Sequence, residues 1–277
     1  MMTDREILVL IEGIEREAAE LMLHAHGIIS ENKTGSRDVV TEYDRRIQQL
    51  IISRITDVIP NAAFFCEEMA VQQDVTARHL FIIDPIDGTM NFVRGFNHSC
   101  ISVAYASCGT VRAAAVYNPY VDEMFTAVRG EGAYINGQPI HAHDGELADS
   151  IVCFGTSPYA LLGEKTFDLA KLAFDNSLDI RRQGSAELDL CSVAAGRAGV
   201  YFELSLSMWD FAAGMLIVEE AGGVCLTAEG AALRLDGNKS SVIAGGKRAV
   251  NEFIALIRNQ YHLTVTAAGD NISGAIE

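Results

Sequence analysis

The spacing of apolar residues predicts a mixed α/β fold. They recur at helical intervals near the N-terminus, and short apolar bursts separated by turn residues fill the stretch from 62 to 140. After about residue 150, strand-like and helix-like segments alternate. The 277 residues, 49% of them hydrophobic, suffice for a sizeable core in one large domain or two closely packed lobes.

From Asp4 to about Ser30, Ile7, Leu10, Ile11, Ile14, Ala18 and Leu21 fall at helical spacing, with Thr3 or Asp4 as N-cap. The segment KTGSRDVVTEYD, 33–44, breaks this helix with turn residues and charges. A second helix is expected from about Tyr43 to Val58, ending before Pro60. The bursts AAFFC (62–66), LFII (80–83), ISVAYAS (101–107), VRAAAVY (111–117) and EMFTAV (123–128) read as strands, with Cys108-Gly109-Thr110 as one of the turns. Asn136-Gly137 is a strong hairpin signal. Beyond it, IVCFG, DIRRQ, GVYFEL and VIAGG read as strands. Residues 159–175, SAELDLCSVAAG, WDFAAGMLIVEEAG and KRAVNEFIALIRNQ read as helices, the third stopping at Gly222-Gly223. The expected organisation is one domain over 1–266. An N-terminal lobe (about 1–150) holds an antiparallel sheet, a C-terminal lobe (about 151–266) holds alternating elements, and 267–277 form a Gly/Ala-rich, disordered tail.

Lys and Arg total 21 against 37 Asp and Glu, a formal net charge of −16. Such a chain repels phosphate backbones and anionic lipid, so neither direct nucleic-acid binding nor a membrane partner is expected. The six cysteines form no CxxC and sit mostly in apolar surroundings, as in a reduced cytosolic protein. Acids stand where a signal peptide would be basic, and no apolar run reaches the length of a membrane span, so a cytoplasmic location is expected.

The chemistry concentrates in DPIDGTMNF, 84–92. Asp84 and Asp87 follow the buried run LFII, and Pro85 fixes a backbone angle that lets both carboxylates turn to one point, with the Ile86 carbonyl beside them. An oxygen-only set suits Mg²⁺ before zinc. Gly88-Thr89 then opens a short helix whose free N–H groups suit a phosphate. Acids for metal beside amides for phosphate point to metal-assisted phosphoryl chemistry. Two acids in this place also serve as turn or cap residues, and the pair alone leaves both readings open. Glu67 and Glu68 follow AAFFC, where strand alternation allows at most one to face a site. Asp210 lies in the first turn of an apolar helix, where the helix dipole also favours an acid. His141 and His143 stand in a charged loop without a third ligand, and His24 and His26 cannot share a helix face. No P-loop, GxGxxG or GxSxG occurs.

Taken together, DPIDGTMNF, the preceding CEE, MWDFAAG, GSAELDLC and YFE resemble the inositol monophosphatase family of Mg²⁺-dependent, Li⁺-sensitive phosphatases, over nearly the whole chain. The resemblance implies a layered α/β/α/β/α sandwich and a homodimer. It places Glu67, Asp84, the Ile86 carbonyl, Asp87 and Asp210 as ligands of two or three Mg²⁺ ions. Asp44 and Thr89, with Glu67, become the catalytic set that holds or activates the attacking water. Gly88, Thr89 and Met90 hold the phosphate, and Asp87, Gly184, Ser185, Ala186, Glu203 and Asp210 face the alcohol. Lys33 matches the basic position of a metal loop. Cys66 replaces a usual Gly before Glu-Glu, and Met90 a usual Thr. The implied activity is hydrolysis of inositol monophosphate or a similar small polyol phosphate. The alternatives are fructose 1,6-bisphosphate, histidinol phosphate or a nucleotide 3′-phosphate. Similar bacterial members associate with the transcription machinery, which adds a regulatory binding role as an alternative of another class.

Overall fold

The computed structural model describes residues 2–32, 39–69, 74–156 and 160–261; Lys33 and the tail after 266 lie outside the described residues. Helix α1 (Asp4–Leu23) begins with a reciprocal capping box between Thr3 and Glu6, and buries Ile7, Ile11, Ile14 and Ala18 along one face. It stops well short of Ser30. The backbone leaves the helix at His24 (φ −101°, ψ 13°), Gly27 beyond it takes φ +61°, and Ser30–Asn32 (β1) pairs with Val39–Thr41 (β2). Thr41 caps α2 (Glu42–Val58), which ends before Pro60 as expected.

The larger sheet contains β3 (Ala63–Cys66), β4 (Leu80–Asp87), β5 (Cys100–Ser107), β6 (Thr110–Asn118), β7 (Glu123–Val128), β8 (Ala133–Ile135) and β9 (Gln138–Ile140), side by side in chain order. Only β3 and β4 run parallel; the other neighbours are antiparallel. A short helix, α3 (Thr89–Arg94), interrupts the path from β4 to β5. Asn136 and Gly137, at φ +48° and +74°, make the turn between β8 and β9 with the left-handed pair that such a hairpin requires.

The smaller sheet is formed by β10 (Ile151–Phe154), β11 (Asp179–Arg181), β12 (Val200–Leu206), β13 (Val224–Leu226) and β14 (Ser240–Gly245), in the order β11-β10-β12-β14-β13. Its helices are α4 (Ala160–Asn176), α5 (Ala186–Ala194), α6 (Ala212–Glu220) and α7 (Lys247–Tyr261). β13 is a three-residue edge strand with too little pattern to be read from sequence.

The layering follows from which faces are apolar. α1 and α2 cover one face of the larger sheet through an isoleucine-rich core. α5 and α6 fill the space between the sheets, and α4 and α7 cover the far face of the smaller one. The result is an α/β/α/β/α sandwich. Because both faces of the larger sheet are covered, β4 is buried along its whole length, which explains why LFII is a continuous apolar run. α6 is buried from Ala212 to Val218 for the same reason, whereas the outer helix α1 is amphipathic. Among the described residues, no helix is long and apolar enough to cross a membrane.

Candidate active site

Asp84 and Asp87 are the last acids of β4, and the strand pairing shifts register between them. That irregularity re-aims the chain, as a bulge does, where simple alternation would send two residues three apart to opposite faces. Asp84 is 2% exposed, and one of its oxygens accepts from the Ile86 N–H at 3.0 Å. Gly88 takes φ +85°, and a Cβ there would lie 3.1 Å from the carbonyl oxygens of both Gly184 and His98. Glycine is therefore required by conformation and by space.

Thr89 opens α3. Its hydroxyl lies 3.0 Å from the Ile86 carbonyl and 3.3 Å from Oδ1 of Asp44. Asp44 is fully buried, and its Oδ2 accepts from the N–H and hydroxyl of Thr41 at 2.8 and 2.5 Å. One oxygen thus caps α2 and the other faces Thr89. Asn91 ties the turn down by donating to the carbonyls of His98 and Gln183 at 2.7 and 2.8 Å.

Asp87 meets the start of α5. Its Oδ2 accepts from the Ser185 hydroxyl at 2.5 Å and the Glu187 N–H at 2.8 Å, and its Oδ1 from the Ala186 N–H at 3.3 Å. Ser185 and Ala186 therefore line the cavity while bonding to Asp87. Asp210 arrives from a 3-10 turn, Met208–Asp210, just before α6, and its Oδ2 accepts from the Ser207 N–H at 2.7 Å. Glu203, in β12, accepts from the Tyr201 hydroxyl at 2.9 Å. A cavity of about 350 Å³ brings Glu67, Asp87, Gly184, Ser185, Ala186, Glu203 and Asp210 together.

Glu68 corrects an expectation. Carboxylate oxygens of Asp44, Glu67 and Glu68 all lie within 4.8 Å of one another, so both glutamates face the same side. β3 ends at Cys66, and the two acids occupy a turn where strand alternation no longer applies. Cys66 itself points into the core beneath α1 and α2. Met90 is 41% exposed. His24, His26, His141 and His143 are exposed, and among the described residues no group of metal-ligating side chains other than Asp44, Glu67 and Glu68 meets that spacing.

The electrostatics are those of crowded, enclosed acids. Burial pushes the Asp84 carboxyl well above the usual range, and the charges of Glu67, Asp87, Asp210 and Asp44 push it further. Asp210 is raised well above its usual range by burial, then by Glu67 and Asp87. Asp87 is raised by burial against the opposing hydrogen bonds from Ser185, Glu187 and Ala186. Burial lifts Glu203 to about 7, and lifts Asp189, another lining residue, to about 8. Oxygen donors that repel one another this strongly fit a hard divalent cation, which would hold them all ionised at neutral pH.

Sequence reasoning missed several groups in this region. Asp189, Thr156, Arg182 and Lys239 also line the cavity, and Glu187 lies buried directly behind it. The signal for Glu187 was present: an acid inside the apolar helix AELDLCSVA is either exposed or held by buried donors.

Comparison with known proteins agrees with this geometry. The profile of the inositol monophosphatase family matches residues 4–263. The chain belongs to the inositol monophosphatase family. It is 34% identical to the Nus factor SuhB of Escherichia coli K12 over 235 residues, 84% of this chain and 87% of that protein. It is 37% identical to an inositol-1-monophosphatase of Rhizobium meliloti over 224 residues, 80% of this chain and 81% of that protein. The crystal structure of the suhB protein of Bartonella henselae superposes with a TM-score of 0.85 at 29% identity, covering 91% of this chain and 98% of that one.

Proposed function

We propose that this family member is a Mg²⁺-dependent phosphomonoesterase acting on inositol monophosphate or a similar small polyol or sugar phosphate. The observation that carries this reading is the convergence of carboxylates from β4, the turn after β3, the start of α2 and the turn before α6 beside a polar cavity. The relative named inositol-1-monophosphatase supports it.

Glu67, Asp84, Asp87, Asp210 and the Ile86 carbonyl would hold Mg²⁺, which when bound neutralises phosphate charge and acidifies water. The amides of Gly88, Thr89 and Met90 receive phosphate oxygens. Thr89, hydrogen-bonded to Asp44, accepts a hydrogen bond from the attacking water and orients it, with Glu67 close to Asp44. Water gives its oxygen to phosphorus and a proton to the departing alkoxide, leaving free alcohol and inorganic phosphate. Glu203 accepts hydrogen bonds from hydroxyls of that alcohol, beside Gly184, Ser185 and Ala186.

Phosphate release from inositol 1-phosphate, fructose 1,6-bisphosphate, histidinol phosphate and a nucleotide 3′-phosphate, with Mg²⁺ and with EDTA, tests the reading. Mg²⁺-dependent release from a polyol or sugar phosphate is expected. No release from any of them at saturating Mg²⁺ would overturn it.

The relative named a Nus factor favours a second reading, in which the same chain also associates with transcription complexes. The net charge of −16 opposes contact with a nucleic-acid backbone but not contact with a protein partner. Retention of the Asp87→Asn variant on immobilised transcription complexes would support binding independent of catalysis. Failure of wild-type protein to be retained would remove this reading.

A further inference from the structure

A second cavity, of about 370 Å³, opens at the other end of the larger sheet and shares no lining residue with the first. His79, in its wall, immediately precedes Leu80 at the amino end of β4, whereas Asp84 and Asp87 lie toward the carboxyl end. At about 3.3 Å per residue, the two ends of the strand lie roughly 20 Å apart.

Backbone hydrogen bonds fix the walls. The His79 carbonyl accepts from the Ala63 N–H at 2.7 Å. The Ala77 carbonyl accepts at 3.3 Å from the N–H of Cys108, in the turn between β5 and β6. The His79 and Tyr105 rings stack with centroids 6.0 Å apart, and Nδ1 of His79 lies 2.9 Å from the Tyr105 hydroxyl. When that hydroxyl donates, the imidazole keeps its proton on Nε2 as a further donor.

Acids outnumber cations around the first cavity, and here the balance reverses. Arg78 and Arg112 line it, with Asp4 as the one acid among the described lining residues. Oδ2 of Asp4 pairs with Nη2 of Arg112 at 2.7 Å. Burial, then the charge of Asp4, raises the pKa of the Tyr105 hydroxyl, and Arg78 and Arg112 both oppose that rise. The two guanidiniums therefore lie within electrostatic reach of one buried hydroxyl. Ser107 and Thr110 add hydroxyls, and Met2 adds an apolar wall.

A chain with a net charge of −16 repels anions from most of its surface, and two guanidiniums in one cavity reverse that locally. Guanidinium forks beside hydroxyls match the oxygens of a phosphate. The volume is that of a small-molecule site, with room for more than the phosphate itself. We propose that this cavity is a second ligand site, remote from the candidate active site, which holds the phosphate group of a small organic phosphate through Arg78 and Arg112. It does not depend on the phosphatase reading.

Calorimetric titration of phenyl phosphate and of inorganic phosphate into the full chain, in EDTA at low salt, tests this. EDTA removes divalent cations, so no metal draws phosphate to the acid cluster. Wild type should bind one phenyl phosphate per chain with Kd below about 1 mM. Arg78→Gln and Arg112→Gln should each weaken binding by about 10-fold or more. Arg78 is exposed, so NaCl should weaken binding as well. Asp4→Asn releases Arg112 from its ion pair and should tighten binding by about 2-fold, a gain that damage to the fold would not produce. Arg182→Gln, in the first cavity, should leave the titration unchanged. Weaker binding of inorganic phosphate makes an ester the occupant and equal affinity makes it free phosphate, and both outcomes keep the site. No binding of either compound, or binding that survives Arg78→Gln and Arg112→Gln but is lost in Arg182→Gln, would overturn it.

Discussion

The backbone N–H of Glu187 donates to Oδ2 of Asp87 at 2.8 Å, joining residues 100 positions apart. The Glu187 carboxylate, itself fully buried, accepts from the Ser102 hydroxyl at 3.0 Å and from the N–H groups of Gly214 and Ala213 at 2.6 and 3.3 Å. One residue therefore ties β5 and the start of α6, which follows Asp210, to the start of α5, which holds Asp87.

Glu187→Ala would leave those donors buried without an acceptor, at about 1–3 kcal/mol for each that finds no new partner. Urea unfolding should show the loss, and kcat for phosphate release should fall with it. Glu187→Gln keeps the shape and one acceptor oxygen, so it should lie between wild type and Ala in both measurements. An Ala variant as stable and active as wild type would show that this brace is dispensable.

Gly155 lies against Glu203: a Cβ added there would stand 1.6 Å from Oε2. Gly155→Ala must displace the Glu203 carboxylate, breaking its bond to Tyr201 or its place in the cavity. KM for the phosphate ester should rise about 10-fold, with a smaller effect on kcat. Steady-state kinetics at saturating Mg²⁺ check this, and an unchanged KM would remove Glu203 from the alcohol side.

The raised carboxyls fix a direction for pH dependence. Asp84 and Asp210 stand well above their usual range, Glu203 at about 7, and Glu187 and Asp189 at about 8. Between the ordinary carboxylate range and about pH 8, the folded metal-free protein holds more protons than the unfolded chain, so its stability falls as pH rises. A divalent cation binds the ionised acids and stabilises the fold, most at the alkaline end. Thermal unfolding from about pH 5 to about 9, with EDTA and with Mg²⁺, should show Tm curves that diverge upward in pH. Parallel curves would contradict a cation site made from these groups.

Glu15 is a separate liability. It sits on the buried face of α1, with neither carboxylate oxygen making a well-formed hydrogen bond. Burial, then the charges of Glu12 and Glu187, raise its carboxyl well above the usual range. Its neutral form is favoured in the fold, so stability is lost as pH rises above the ordinary carboxylate range. Glu15→Leu should stabilise the protein by about 1–3 kcal/mol near neutral pH, with the gain growing as pH rises. A destabilised variant in urea titration would show that Glu15 has a partner worth keeping.

Legibility in the sequence tracked how local the cause was. The span of α2 and the Asn136-Gly137 turn depend on neighbours in the chain and were readable. The end of α1 is not legible because the helix stops at Leu23 with His24 as its C-cap, where neither glycine nor proline marks the break. For the site, the motif strings pointed to Asp84, Asp87, Glu67 and Asp210, but their convergence depends on strand order and on the register shift in β4. Glu68 was misassigned because alternation was extended beyond the end of β3. Arg182, Lys239 and Glu187 reach the cavity or its rear through contacts between distant segments, for which the sequence offers only weak local signals.

The central claim is that these acids bind a divalent cation for phosphate-ester hydrolysis. Phosphate release from myo-inositol 1-phosphate, followed as MgCl₂ is titrated into wild type and into Asp87→Asn, tests it most directly. Wild type should show no release in EDTA and saturable activation by Mg²⁺, while the folded variant stays at least about 100-fold slower at every concentration. Wild-type release that persists in EDTA, or an Asp87→Asn variant that matches wild type at saturating Mg²⁺, would contradict the account.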